Sequence, residues 1–280
     1  MSRILSEGAE LTHAARCTCY VLGAGCYVRG RENMRSLFVL TTAVVAAAIA
    51  GTGIAAQQQP RGQDLITPKF VENTLTSEEK ASGWKLLFDG KTTNGWRGFK
   101  QPAAPTGWQA VDGALTRVGG GGDLLTIDQY ASFELQLEWK LPPGGNSGIM
   151  FRVTENAEET YHTGPEFQIL DNARHRDGKD PLTSAGACYA LYAPSKDVTR
   201  PVGTWNHARL VADGVAVQHW LNDVMVVKYD MDSPDWREKV AASKFKEWPT
   251  FGRSLTGHIV LQDHGDRVAF RNIKIRHISP

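Results

Sequence analysis

Cysteine is scarce in this chain and poorly placed for cross-linking. Of four in 280 residues, Cys17, Cys19 and Cys26 stand near the beginning and Cys188 is alone in the remainder. A disulfide framework for the body of the chain is therefore excluded, and Cys17-x-Cys19 is too close and too isolated to make a zinc site. An excess of either charge is also lacking. The 31 basic and 30 acidic residues leave a net +1, and no basic block is long enough for a nucleic-acid footprint or for adhesion to an anionic membrane. The partner expected is a neutral small molecule or glycan. Long apolar runs are missing with one exception, residues 37–50, which falls short of the roughly 20 residues that cross a bilayer. Helical periodicity is almost absent after residue 83, where only Asp232-Ser233-Pro234-Asp235-Trp236 and the residues up to Ser243 read as a helix.

The one apolar run follows Met34-Arg35 and precedes a zone of small residues ending near Ala55 or Ala56. A charged start, an apolar centre and a small-residue cleavage zone form a secretory signal peptide over 34–56. Such a segment belongs at the start of a protein, so residues 1–33 read as an extension and Met34 as the expected start of translation. The mature chain is then expected to be exported to the periplasm or the extracellular space, without integral membrane association. Residues 57–82 read as a polar linker in which Thr76-Ser77-Glu78-Glu79-Lys80 starts a short capped helix. A single domain over 83–280 remains, long enough for one sizeable core.

That domain alternates at period two. Residues 133–141 put Phe133, Leu135, Leu137, Trp139 and Leu141 on one face and close with Pro142-Pro143-Gly144-Gly145, the pattern of a half-buried strand. Residues 147–153 bury Ile149, Phe151 and Val153 on the same argument and turn Met150 and Arg152 the other way. Two strands near 205–211 and 215–221, a third at 224–229, one after Gly257 and a last one over 267–277 follow. The final strand changes parity between Phe270 and Ile273, as a bulge requires. Many short strands with close turn signals predict an all-β sandwich of two antiparallel sheets.

The most informative stretch is Gly164-Pro165-Glu166-Phe167-Gln168-Ile169-Leu170-Asp171. A strand here buries Phe167 and Ile169 and carries Glu166 and Gln168 on the opposite face. Asp171 lies at odd spacing from Glu166; a one-residue bulge after Gln168 would bring all three onto one face, whereas an ordinary strand end would leave Asp171-Asn172 to begin the loop.

Several motifs, taken in order, carry a family resemblance. They are Leu86-Leu87-Phe88-Asp89-Gly90 with Gly95-Trp96, Asn146-Ser147-Gly148-Ile149-Met150-Phe151-Arg152, Glu166-Phe167-Gln168-Ile169-Leu170-Asp171, Trp205-Asn206, His219-Trp220-Leu221-Asn222 and Gly257-His258-Ile259-Val260-Leu261-Gln262-Asp263-His264-Gly265. The chain resembles the 3-keto-disaccharide hydrolases, also described as 3-keto-glucoside 1,2-lyase/3-keto-2-hydroxyglucal hydratase domains. The resemblance implies a concanavalin-A-like jelly roll. It also implies cleavage of 3-keto-glucosides by C2 deprotonation, elimination across C1 and C2, and hydration of the resulting 2-hydroxy-3-keto-glucal. A weaker likeness to the E-x-D-x-x-E signature of laminarinase-type glycosidases departs at two places. Gln168 stands for the middle Asp and Asp171 for the final Glu, so the paired Glu residues of a retaining displacement are not present in their usual form. A non-catalytic carbohydrate-binding module is the alternative from another class.

Elimination from a keto sugar needs a base, an electrophile for the enolate oxygen and a proton donor for the leaving oxygen. The resemblance implies Glu166, Asp171 and His264 as base or as ligands of a divalent metal ion, with no organic cofactor. Arg152 is the expected cation for a developing oxyanion. Gln168, Gln262, Asn146, Asp263, His162 and His219 are the expected sugar contacts; the parity of His219 with Val217 and Leu221 also fits a packing residue.

Overall fold

A computed structural model describes residues 71–278. The expected signal peptide over 34–56 and the extension over 1–33 lie outside the described residues. The body is all-β apart from two short α-helices and a few 3₁₀ turns, as the alternation predicts. The strands are β1 (Lys85–Leu86), β2 (Trp96–Gly98), β3 (Trp108–Val111), β4 (Ala114–Arg117), β5 (Leu124–Thr126), β6 (Phe133–Lys140), β7 (Asn146–Val153), β8 (Glu166–Leu170), β9 (Asn206–Asp213), β10 (Ala216–Leu221), β11 (Val224–Asp230), β12 (His258–Leu261) and β13 (Ala269–His277). Helix α1 (Ser77–Ala81) begins in a capping box, with Thr76 accepting from the Glu79 amide and the Glu79 side chain accepting from the Thr76 amide. Helix α2 (Pro234–Ala242) is capped by Ser233 and starts on Pro234, where a missing N–H costs nothing.

The larger sheet runs β11-β10-β9-β6-β13-β4-β3, with β1 also paired to β13; the smaller runs β2-β5-β12-β7-β8. Every pairing is antiparallel. Phe133, Leu135, Leu137 and Trp139 of β6 meet Ile149, Phe151, Phe167 and Ile169 of the smaller sheet in one continuous core. Each fully buried side chain of this size contributes roughly 1.5–3 kcal/mol. The outer face of the smaller sheet is apolar in its middle, where Leu125, Met150, Val153 and Val260 pack with Phe99 and Tyr161. Its free edge along β8 is closed by the segment that follows: the Gln168 amide donates to Ala187 O, the Gly186 amide donates to Gln168 O, and Phe167 bridges to Cys188.

Besides a register shift between β10 and β11 at His219 and Trp220, two bulges shape the sheets. The one expected in β13 is there, between Arg271 and Lys274, with Asn272 at φ 53°. The second is in β7, where Met150 and Val153 pair with Val260 and His258. Three residue steps on β7 face two on β12, and Arg152 takes the left-handed conformation at φ 55°. Gly257 makes this possible, since a Cβ there would lie 2.4 Å from the Arg152 carbonyl carbon. The bulge corrects the expected parity. Val153 joins the outer face with Met150, and Arg152 follows Phe151 inward, 1% exposed. Its Nε and one terminal nitrogen donate to Ala131 O at 3.1 and 2.7 Å, and the other terminal nitrogen lies 3.8 Å from Met231 Sδ.

Candidate active site

A cavity of about 780 Å³ lies on the outer face of the smaller sheet, within the size range of small-molecule sites. Its floor is set by the β7–β8 register, in which Met150 faces Glu166 and Gly148 faces Gln168. The Glu166 side chain leans over Gly148, where a Cβ would come 2.0 Å from Glu166 Oε1. Only glycine leaves that space. Glu166 is 8% exposed, and its carboxyl has no hydrogen-bond partner among the described residues. Burial pushes its pKa up to about 8, with the charges of Asp123 and Asp177 acting in the same direction and Lys244 opposing. An acid in such a setting holds its proton at neutral pH and releases it slightly above, the range in which a group both takes and gives protons efficiently.

Around Glu166 stand polar groups of two kinds. Asn146 and Gln262 line the cavity, and Asn146 Oδ1 and Gln262 Oε1 are buried without a partner among the described residues, which leaves two acceptors for hydroxyl donors. Gln168 also lines it, anchored by donation to Thr183 O at 3.2 Å. Asp263 contributes its backbone more than its charge. Its carboxylate accepts from Arg117 Nε at 2.7 Å and from the Gly122 and Gly265 amides at 3.2 and 3.0 Å. That network fixes the turn carrying His264, which lies exposed on the cavity wall with its ring 6.1 Å from that of His175.

The structure thus gathers Glu166, Gln168, Gln262, Asn146, Asp263 and His264. It separates four other expected residues from them. Arg152 is turned into the core by the β7 bulge and cannot hold an oxyanion in this cavity. Asp171 is not on the Glu166 face, because β8 pairs regularly and has no bulge after Gln168. Its carboxylate instead accepts from the Gly144 and Ala173 amides at 2.7 and 3.1 Å and pairs with Arg174 at 3.5 Å. His219 is a core residue, fully buried and stacked on Phe167 at 4.7 Å; its ring nitrogens meet Gly186 O and the Tyr229 hydroxyl at 3.1 and 3.2 Å, and burial lowers its pKa to about 4. His162 does not line the cavity but stacks at 4.3 Å behind Trp248, which does. The expected metal ligands Glu166, Asp171 and His264 therefore do not converge, and no three His, Cys, Asp or Glu side chains are gathered for an ion among the described residues.

Other lining residues were not singled out from the sequence. Asp123 follows the run Gly119-Gly120-Gly121-Gly122 and ends it with a carboxyl that accepts from the Thr160 hydroxyl and, at 2.8 Å, from the Asp263 amide; burial raises its pKa. Lys244 comes from the turn after α2 and holds its ammonium 4.6 Å from the Tyr189 ring centroid, 5.3 Å from Phe245 and 5.6 Å from Tyr161. With Trp248 and Phe99, these rings give the cavity apolar walls of the kind that cover a sugar face. The glycine run was the available signal for Asp123. Nothing local marks Lys244.

An antiparallel sandwich bearing a cavity with aromatic walls and a buried carboxyl of raised pKa is compatible with a carbohydrate-active protein. Residues 83–276 match the family model of the 3-keto-alpha-glucoside-1,2-lyase-like domain, and the chain belongs to that family. A protein of Bacteroides thetaiotaomicron named 3-keto-disaccharide hydrolase is 35% identical over 228 residues, covering 70% of this chain and 79% of that protein. Among solved structures, a candidate glycosyl hydrolase from Parabacteroides distasonis superimposes with a TM-score of 0.70 at 32% identity, covering 75% of this chain and 100% of its own. A second from the same organism gives 0.55 at 31% identity, covering 70% and 99%.

Proposed function

We propose that this protein cleaves 3-keto-glucosides by elimination and hydration, with Glu166 as the proton-transfer group. The observation that carries the reading is the buried, unpaired Glu166 carboxyl over Gly148, in a cavity with two unpartnered amide oxygens and aromatic walls. The C3 carbonyl acidifies the proton on C2. The ionised fraction of Glu166, about one tenth at pH 7 for a pKa near 8, takes that proton, and the C–H electron pair moves into an enolate whose charge rests on the C3 oxygen. Collapse of the enolate forms the C1–C2 double bond and breaks the C1–O bond. The leaving oxygen collects a proton, for which protonated Glu166 and His264 are the donors at hand. Water then adds, hydroxyl to C1 and proton to C2, giving the free 3-keto sugar.

The enolate needs a cation, and Lys244 is the lysine whose charge already acts on Glu166. It takes the role that the sequence suggested for Arg152. Gln262 and Asn146 receive sugar hydroxyls, and Gln168 shapes the floor. The test is time-resolved NMR of a 3-keto-glucoside deuterated at C2. Deuterium should wash into water during turnover. Its full retention in the product, with equal cleavage of the unoxidised glucoside, would establish displacement instead, and return of the glycoside unchanged would make the protein a binding module. We infer export from residues 34–56; an N-terminus near Ala56 or Gln57 in the native protein is the corresponding mass-spectrometric result, and a cytoplasmic form retaining Cys17 would contradict it.

A further inference from the structure

A second cavity, of about 540 Å³, opens where the ends of β6 and β8 meet the loop over 197–206. Its walls are held by residues that the sequence marked but the active site does not use. Asp171 caps the β8 end as described. Asn206 Oδ1 accepts from the Arg200 amide and from Asn222 Nδ2, both at 2.8 Å, and Asp197 accepts from Asn172 Nδ2 at 3.0 Å and from the Thr199 amide and hydroxyl at 2.8 and 2.7 Å. Asn172 Oδ1 accepts from the Ala185 amide at 2.8 Å. Each carboxylate and amide oxygen of the lining is therefore already engaged.

The donors are not. Trp139 lines this cavity at 2% exposure, and its indole N–H is buried without an acceptor among the described residues. Arg174 makes one ion pair, 3.5 Å from Asp171, with its side chain 61% exposed. Arg200 spends one terminal nitrogen on Trp205 O at 3.0 Å and keeps its other side-chain N–H groups. Leu141, Pro143 and Val202 supply an apolar wall. The carboxylate and amide oxygens of the lining each already accept within the protein, whereas the Trp139 indole N–H and most N–H groups of Arg174 and Arg200 have no acceptor among the described residues, so the unmet capacity is mostly that of donors and fits a ligand rich in acceptor oxygens. The apolar wall asks for a carbon body.

We propose that this cavity is a second binding site, taking a small organic carboxylate between the Trp139 indole N–H and the guanidinium groups of Arg174 and Arg200. The site is independent of the glycoside chemistry proposed above. Its test is a titration of the ¹⁵N-tryptophan-labelled protein with sodium D-glucuronate, with the Trp139 indole signal assigned from Trp139→Phe. That signal should move saturably, D-glucose should leave it in place, and Arg174→Gln should weaken binding roughly tenfold, the scale of one charge-assisted hydrogen bond. Arg174 is exposed, so the variant should fold, and its circular dichroism and glycoside turnover should match the parent. The proposal is overturned by absence of a saturable shift, by an equal response to glucose, by an equal response to inorganic phosphate, or by unchanged affinity in both Arg174→Gln and Arg200→Gln.

Discussion

Replacing Glu166 by Gln tests the central electrostatic claim without any substrate. In the folded protein the Glu166 carboxyl has its pKa pushed up to about 8 by burial, against 4.5 as the ordinary value. Between these two values the unfolded chain has released the proton that the native state still holds. Stability therefore falls as pH rises across that window, by about 1.4 kcal/mol per unit where the difference is complete. Integrated from pH 5 to pH 8, this one group costs the native state about 3–4 kcal/mol, a large share of the 5–15 kcal/mol that holds a typical domain together. Glutamine keeps the shape and carries no titrating proton. The variant should thus match the parent near pH 5 and exceed it by about 3–4 kcal/mol near pH 8. Urea unfolding of both proteins in half-unit steps of pH measures this, with a chelator present so that no stray cation pairs with the carboxylate. All other titrating groups are common to the two proteins, so the difference isolates Glu166. A gap that stays constant within about 0.5 kcal/mol across the range would refute the claim that this carboxyl is buried and unpaired.

Gly148→Ala should remove at least about a hundredfold of kcat/KM, because the new methyl occupies the place of Glu166 Oε1 at 2.0 Å; a near-native melting temperature alongside that loss would show that the carboxyl, not the fold, was displaced. Arg152→Ala should destabilise by about 2–5 kcal/mol through an empty cavity and an unpaired Ala131 carbonyl, while the turnover of its folded fraction stays within about threefold of the parent; a selective loss of kcat would return Arg152 to the chemistry. Lys244→Met removes a charge that opposes the rise in the Glu166 pKa, so the ascending limb of the pH–rate profile should move to higher pH. An unmoved limb would mean that Lys244 does not act on the reacting group.

The sandwich was legible because period-two alternation is enforced wherever one sheet face is buried. Residues 133–141 show this most plainly, with Phe133, Leu135, Leu137 and Trp139 all in the core. The bulge in β13 was legible for the same reason, since the apolar parity itself changes there. The bulge in β7 was not. Arg152 takes the inward place in the left-handed conformation, and an arginine in a strand reads as a solvent-facing residue because its burial depends on two distant acceptors, Ala131 O and Met231 Sδ. A local pattern carries no information about a partner twenty residues away.

The candidate site divides along the same line. Glu166, Gln168 and Gln262 could be placed because each alternates with core residues along its own segment, and β8 and the end of β12, which flank β7 on either side, then bring them to one face. Asp171 failed because its placement needed a bulge for which Leu170 gave no apolar excuse: β8 simply ends, and the carboxylate does what aspartates at strand ends do, accepting backbone amides. Lys244 had no local mark and Asp123 only the glycine run before it, for a different reason. Their positions are fixed by segments that belong to no strand, a turn after α2 and a glycine run before β5, and both bring their charges to bear on Glu166 from outside the sheet. The strands thus specify where a proton can be held, and the loops specify what charge surrounds it. A sequence pattern reads the first because its period is local, while the second depends on how far each loop reaches across the sheet.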